Sequence, residues 1–370
     1  MRDSRKISAW QVFFLLMLLM NGAYSLLLPQ SVGQRLSHAD GSLVILATTV
    51  LALLLLWLVR GIAIGFADRS VAAYLPQVLG KVGGKLAGGL FCAFFAFLTV
   101  MFMASFHEML GAELLPTTPR WVTMTATFIL IVWIVCNGLE DIARFSTLLA
   151  PLIILVLVLI LLGNVQAMQL VNVLPFGGSS WPDRLKTMQL VLLVFLPVCT
   201  LLVLYPRVLE QDKVWQLAAL SIVASGIYQA LMFFAVIAIF GSTEGIRIIW
   251  PLVELARMVR IGPFLERLEA VFIAIWLTIA FLNGSILTYC TAATWRELWP
   301  KQPRWRSHAL VFAVIWVGTL AVSDMLRLFM LRATFSQWVL PGILLLLVIT
   351  RLAVWRWQRK AGKEGQHAAS

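Results

Sequence analysis

Charge is what this chain of 370 residues has least of: Asp, Glu, Lys and Arg together make up 12% of it, against 61% hydrophobic residues. That balance excludes a water-soluble domain, in which roughly 25% of residues are charged, and leaves a polytopic membrane protein. Cysteine is sparse and scattered. The 4 cysteines, Cys92, Cys136, Cys199 and Cys290, stand singly in separate apolar runs without CxxC or Cys/His spacing, so neither a metal centre nor a disulfide framework is expected and packing is their remaining role. No nucleophile with a neighbouring base and no phosphate-cradling glycine loop occurs, which argues against an enzyme, a nucleotide site or any cofactor. The net charge of +12 has no soluble domain to carry a basic face, so nucleic acid is not an expected partner.

What is present is a series of membrane-length apolar runs. About ten spans of roughly 17–25 residues are expected, near 10–29, 42–60, 86–107, 121–137, 145–163, 187–206, 215–240, 270–290, 308–323 and 334–355. The first follows Arg2, Arg5 and Lys6 but is longer than a signal-peptide core and lacks a small-x-small cleavage site, so it is read as a retained span. Placing the N-terminus inside puts most of the 29 basic residues in inner loops and the tail. Both termini are therefore expected in the cytoplasm, since Lys and Arg set topology and Asp and Glu contribute little. The chain reads as a single transmembrane domain, 1–355, with halves at about 10–163 and 187–355 and a cytoplasmic tail at 356–370.

Two of the runs are weak in the middle. Leu16 to Gln30 is interrupted by Asn21-Gly22-Ala23-Tyr24, and Val191 to Arg207 by Phe195-Leu196-Pro197-Val198. In hydrocarbon, non-helical backbone survives only where it is buried in protein or lines a cavity, and interrupted spans at corresponding places in two halves point to a substrate site near the midplane. These eight residues are the first candidates for ligand contact. Thr99 and Phe102 lie in the third span at the depth where it passes the breaks. Asn283-Gly284-Ser285 places a polar group inside the eighth, adding Asn283 and Ser285. Exposed amides at one half-helix start suit a carboxylate and free carbonyls at the other suit an ammonium, so a zwitterionic amino acid needs no charged side chain there.

Elsewhere the pattern is structural. Gly61 to Lys85 reads as a short amphipathic connector at the cytoplasmic face. Glu108 and Glu113, beside His107 at the outer end of span three, read as solvated rim charges. Pro251 followed by Leu252, Leu255 and Val259 reads as an amphipathic surface helix placed to act as an outer lid, from Pro251 to Arg260.

Several of these stretches together carry a family resemblance. Pro251-Leu-Val-Glu-Leu-Ala-Arg257, followed by Gly262-Pro-Phe-Leu-Glu-Arg-Leu-Glu269, resembles the signature of the spore germination receptor B subunits. These form the endospore germination permease family within the amino acid-polyamine-organocation transporter superfamily. The Gly138-Leu-Glu140 and Ala143-Arg144 turn, Leu115-Pro-Thr-Thr-Pro119, Leu174-Pro175, and Ile7-Ser8 with Gln11 extend the likeness to about residue 300. The resemblance implies a LeuT-like fold of two inverted five-helix repeats with helices one and six broken, and a germinant bound among helices one, three, six and eight. It also implies a complex with an A subunit and a lipoprotein C subunit in the spore inner membrane. One departure is Ala23, where the family commonly has threonine after the helix-one glycine, so a hydroxyl is missing from the expected site.

No Asp, Glu, Lys or Arg falls in the central part of a proposed span. A charge kept there usually marks an ion or proton pathway, so the expected function is a germinant-sensing receptor subunit that uses a transporter fold. The alternative is an amino-acid permease, a uniporter or one coupled to protons through a residue such as Glu108.

Overall fold

The computed structural model describes residues 6–36, 40–174, 177–259, 268–322 and 324–367, with backbone only for Ala23, Tyr24, 268–270 and 361–367. Part of the expected lid (Arg260), the 262–267 portion of the family-like signature and Pro175 lie outside the described residues.

Among the described residues the chain is all-helical, and eight helices are long and apolar enough to cross a membrane. The shorter apolar helix α1 (Ala9–Met20) precedes them. It starts at Ser8, whose hydroxyl accepts the Gln11 N–H (3.2 Å) while the Gln11 side-chain oxygen accepts the Ser8 N–H (2.8 Å). This reciprocal cap satisfies two backbone donors that the first helical turn leaves open. Then come α2 (Ala23–Leu26), α3 (Leu28–Gly33), α4 (Asp40–Ala63), α5 (Val71–Val78) and α6 (Gly80–Glu113). The expected connector at 61–85 is therefore mostly helix: Pro76 sits inside α5, and α6 begins six residues before the expected span. The helices α7 (Arg120–Asn137) and α8 (Leu139–Gly163) complete the first half.

The second half begins with α9 (Trp181–Phe195), drawn out through a 3-10 stretch, Leu196–Thr200, into α10 (Leu201–Leu204) and a second 3-10 turn, Tyr205–Arg207. Pro197 and Pro206 explain both: each lacks the N–H that an α-helix needs and crowds the carbonyl four residues back. Next are α11 (Gln211–Gly245), whose backbone leaves helical geometry at Gly241, α12 (Pro251–Met258), α13 (Leu268–Leu298), α14 (Arg304–Ala321), α15 (Met325–Thr334) and α16 (Leu340–His367). A π-turn at Phe335–Val339 joins the last two, so the final crossing segment runs Met325–Lys360. It starts earlier than the expected 334 and carries its helix into the expected tail.

Burial orders the bundle. In Trp181–Arg207, 89% of the apolar window is buried, against 28% in Arg120–Asn137 and in Met325–Lys360, so the interrupted sixth span is central and the fourth and last are peripheral. Around it α6 packs on α13, and α11 packs on α1 and α4. The interrupted spans are also tied at one end. Ile7 and Val208 form an isolated parallel bridge, with Ile7 N–H donating to the Arg207 carbonyl and Leu209 N–H to the Ile7 carbonyl, each 2.9 Å. The Ala9 N–H donates to Glu210 (2.9 Å) beside it.

At the opposite end the loops are pinned by charge. Asp40 is buried and accepts from Gly177 N–H (2.7 Å), Ser179 N–H (3.0 Å) and Arg184 (3.1 Å). Glu108 pairs with Arg120, Glu113 accepts from Arg257 (2.6 Å), and His107 is buried. The expectation of solvated rim charges is thus corrected: these carboxylates are drawn against arginines from the next helix and from α12, which compensates for their removal from water. Cys92, Cys199 and Cys290 are buried as packing residues, whereas Cys136 is exposed.

Candidate functional site

The first interruption falls where expected. The helix α1 stops at Asn21, and Gly22 is extended (φ −79°, ψ −155°) before α2 begins. Those angles suit any residue, so glycine is required there for another reason. A Cβ on Gly22 would lie 2.5 Å from Phe102 Cε2 and closer still to the side-chain amide of Asn283. The break is a place of close approach among α1, α6 and α13, and only a residue without a side chain fits.

A helix that stops in the interior leaves carbonyls without partners, and burying such groups unpaired costs about 1–3 kcal/mol each. Here backbone N–H groups reach two of the carbonyls, Asn21 to Met17 (3.1 Å) and Ser25 to Gly22 (2.9 Å), and side chains supply further donors. Asn21 Nδ2 donates to the Met17 carbonyl (2.8 Å) and to Ser225 Oγ (2.9 Å). Asn283 Nδ2 donates to the Leu18 carbonyl (2.7 Å). Gln229 Nε2 donates to the Met20 carbonyl (3.2 Å) and to Asn21 Oδ1 (3.1 Å). The Ser25 hydroxyl reaches back to the carbonyls of Gly22 (2.7 Å) and Asn21 (3.0 Å). Carbonyls expected to stand free are therefore held by amides and hydroxyls from α11, α13 and the break itself.

The candidate residues divide accordingly. Asn21, Gly22, Phe102 and Asn283 come together. Phe195, Leu196, Pro197 and Val198 are fully or almost fully buried at the second interruption, whose 3-10 stretch packs against α1. Within it the Pro197 carbonyl accepts the Thr200 hydroxyl (2.7 Å). Thr99 and Ser285 are buried, but their hydroxyls donate to their own helices, to the carbonyls of Phe95 (2.8 Å) and Phe281 (2.7 Å). The side chains of Ala23 and Tyr24 lie outside the described residues. Ser225 and Gln229 were missed. Their signal was available, as two polar residues four apart and thus on one face of an otherwise apolar helix.

Above the break, α12 is held down. Pro251, Leu252, Val253, Leu255 and Ala256 are buried, and Asn164 Nδ2 donates to the Leu255 carbonyl (2.9 Å). Arg257 bridges Glu254 and Glu113, both at 2.6 Å. Burial alone would lower the Arg257 pKa, but the two carboxylates outweigh it and hold the guanidinium above its ordinary value.

An all-helical bundle of membrane-length spans, in which an interrupted helix lies against a second one drawn out by proline, defines a class: membrane proteins with discontinuous helices, in which transporters place their substrate sites. Comparison with known proteins narrows it. The family described as spore germination protein matches residues 6–327, and the chain belongs to that family; it is an integral membrane protein related to germinant receptor subunits. It is similar to spore germination protein KB of Bacillus subtilis (strain 168), 24% identical over 99% of both chains. It is also similar to spore germination protein YndE of the same organism, 23% identical over 97% of this chain and 98% of that one. Spore germination protein A2 matches at 22% over 78% of this chain and 79% of its own length.

Proposed function

We propose that this chain is the germinant-sensing membrane subunit of a spore nutrient receptor. In this reading it binds a small amino acid or similar nutrient at the unwound parts of helices one and six and signals to an A subunit and a lipoprotein C subunit. The bundle is read as a LeuT-like pair of inverted five-helix repeats in the spore inner membrane, with both termini cytoplasmic. One observation carries this reading: Asn21, Gly22, Phe102 and Asn283, from three helices distant in sequence, meet at a non-helical stretch of backbone in the protein interior.

The hydrogen bonds suggest how binding becomes a signal. The carbonyls of Leu18 and Met20 accept from neutral amides of α13 and α11. A ligand ammonium competes for the same oxygens, and a charged donor makes a bond roughly twice as strong as a neutral one. Binding then releases Asn283 and Gln229 and changes how α13 and α11 rest on α1. A nutrient that binds with millimolar affinity supplies about 4 kcal/mol, and it shifts the balance only by its preference for one of the two arrangements.

The test is purified protein in liposomes, given a proton or sodium gradient and labelled germinant. Saturable binding without accumulation is the expected result. Accumulation above the bath concentration that collapses with an ionophore would establish the permease instead, although the pairing of Glu108 with Arg120 leaves that carboxylate poorly placed as a coupling group.

A further inference from the structure

At the end of the bundle that carries Ile7 and Val208, a cavity of about 570 Å³ opens between the last turn of α7, the last turns of α13 and the first turns of α14. Its polar lining is one-sided: Arg296, Arg304, His308 and Asn137 contribute, and no carboxylate is among the described residues that line it. A neighbouring cavity of about 530 Å³ shares Arg296 and Arg304 and adds Arg207 and Glu297. Glu297, which accepts from Ser70 and lies 3.9 Å from Arg207, lines the second cavity and not the first. Two guanidinium groups at one opening, with fixed planar donors, suit the oxygens of a phosphate ester.

The surface continuous with this cavity is apolar. On α7 the residues one to two turns nearer the bundle middle, Ile129, Leu130 and Trp133, are exposed, and so are Leu310, Val314 and Val317 on α14. Trp305, 67% exposed, stands at the mouth, the position at which aromatic residues mark the border between hydrocarbon and headgroup. The opening is therefore where a lipid-facing surface meets a basic rim, and basic pockets between transmembrane helices bind anionic headgroups.

We propose that this cavity is a binding site for an anionic phospholipid of the adjoining leaflet, with the headgroup phosphate between Arg296 and Arg304 and the acyl chains along the exposed face of α7 and α14. It lies apart from the helix breaks and does not depend on the nutrient reading.

The test uses the full chain, delipidated in neutral detergent and offered phosphatidylglycerol or phosphatidylcholine, with retained lipid counted by native mass spectrometry. The wild type should retain phosphatidylglycerol in preference. R304Q and R296Q should each lower that retention about fivefold and leave phosphatidylcholine unchanged. R327Q, at the opposite end of the bundle, controls for bulk charge, and thermal unfolding of each variant separates lost binding from lost folding. Equal retention of the two lipids, no change in the cavity variants when folded, or an equal drop in R327Q would overturn the proposal. So would full displacement by soluble glycerol phosphate at the same concentration, which would assign the arginines to a water-soluble phosphate compound.

Discussion

Replacing Gly22 by alanine isolates the feature on which the candidate site depends. The backbone angles tolerate the change, so the whole effect is steric: the new methyl lies 2.5 Å from Phe102 Cε2, about 1 Å inside the 3.5–4.0 Å of ordinary carbon contacts. Neither the phenyl ring nor the Asn283 amide can retreat freely, because the ring is buried and the amide is bonded to the Leu18 carbonyl. Overpacking of this kind costs about 1–3 kcal/mol, and Gly22→Val should cost more because its second branch also meets the contact. Phe102→Leu removes the ring edge that the methyl strikes, so in the double variant part of the loss should return. The assay is a double-mutant cycle, with thermal unfolding of purified protein as one readout and the nutrient response of spores at matched protein level as the other. A coupling of about 0.5–3 kcal/mol is expected for residues in contact. Additive effects within about 0.5 kcal/mol, or a normal nutrient response with Gly22→Val, would refute the close-approach account.

The other predictions concern the groups around that contact. Asn283→Leu removes the donor to the Leu18 carbonyl and should lower stability by about 1–3 kcal/mol; a thermal midpoint equal to wild type would mean that the carbonyl finds another partner at no cost. Gln229→Leu strips partners from both the Met20 carbonyl and Asn21 Oδ1, and amide exchange across Met20–Ser25 should become faster than in wild type if those bonds hold the break. Exchanging Phe195, Leu196 or Val198 for residues one methylene larger or smaller should change which amino acid triggers a response, by about 1–3 kcal/mol of discrimination; altered abundance with an unchanged nutrient profile would leave them as packing residues. Arg257→Gln cuts a half-exposed latch worth about 0.2–1 kcal/mol, so the midpoint should hardly move while hydrogen exchange in α12 rises, and unchanged exchange would remove the lid interpretation.

The resting arrangement at the break has a mechanical consequence. Five carbonyls, those of Met17, Leu18, Met20, Asn21 and Gly22, accept from side chains. Two of the donor groups, those of Asn21 and Ser25, belong to the break itself, and two, those of Gln229 and Asn283, reach in from α11 and α13. The interrupted helix thus has these carbonyls met by the protein's own side chains, and under the proposed function a nutrient exchanges with those donors. That favours a site with graded, modest affinity, because each bond it makes replaces one that it breaks.

Long apolar runs and their interruptions were legible in the chain alone, because both follow from local rules. Hydrocarbon thickness sets the length of a span, and glycine or proline within it marks where the backbone leaves the helix. Asn21-Gly22 and Pro197 were placed correctly for that reason, as was α12 by Pro251 and its spacing of apolar residues. Span ends were less legible where charged or glycine residues continue a helix past the membrane-length run, as at Gly80 and beyond Trp355. What only the tertiary structure decided is who faces whom. No periodicity says that Ser225 and Gln229 on α11 satisfy the break in α1, 208 residues away in the case of Gln229 and Asn21, or that Thr99 and Ser285 turn back to their own helices. Nor does spacing reveal that Glu113 finds Arg257. A polar residue in an apolar span must find a partner, and the sequence states that need; the identity of the partner depends on the rotation and depth of neighbouring helices, which are settled by packing across the whole bundle.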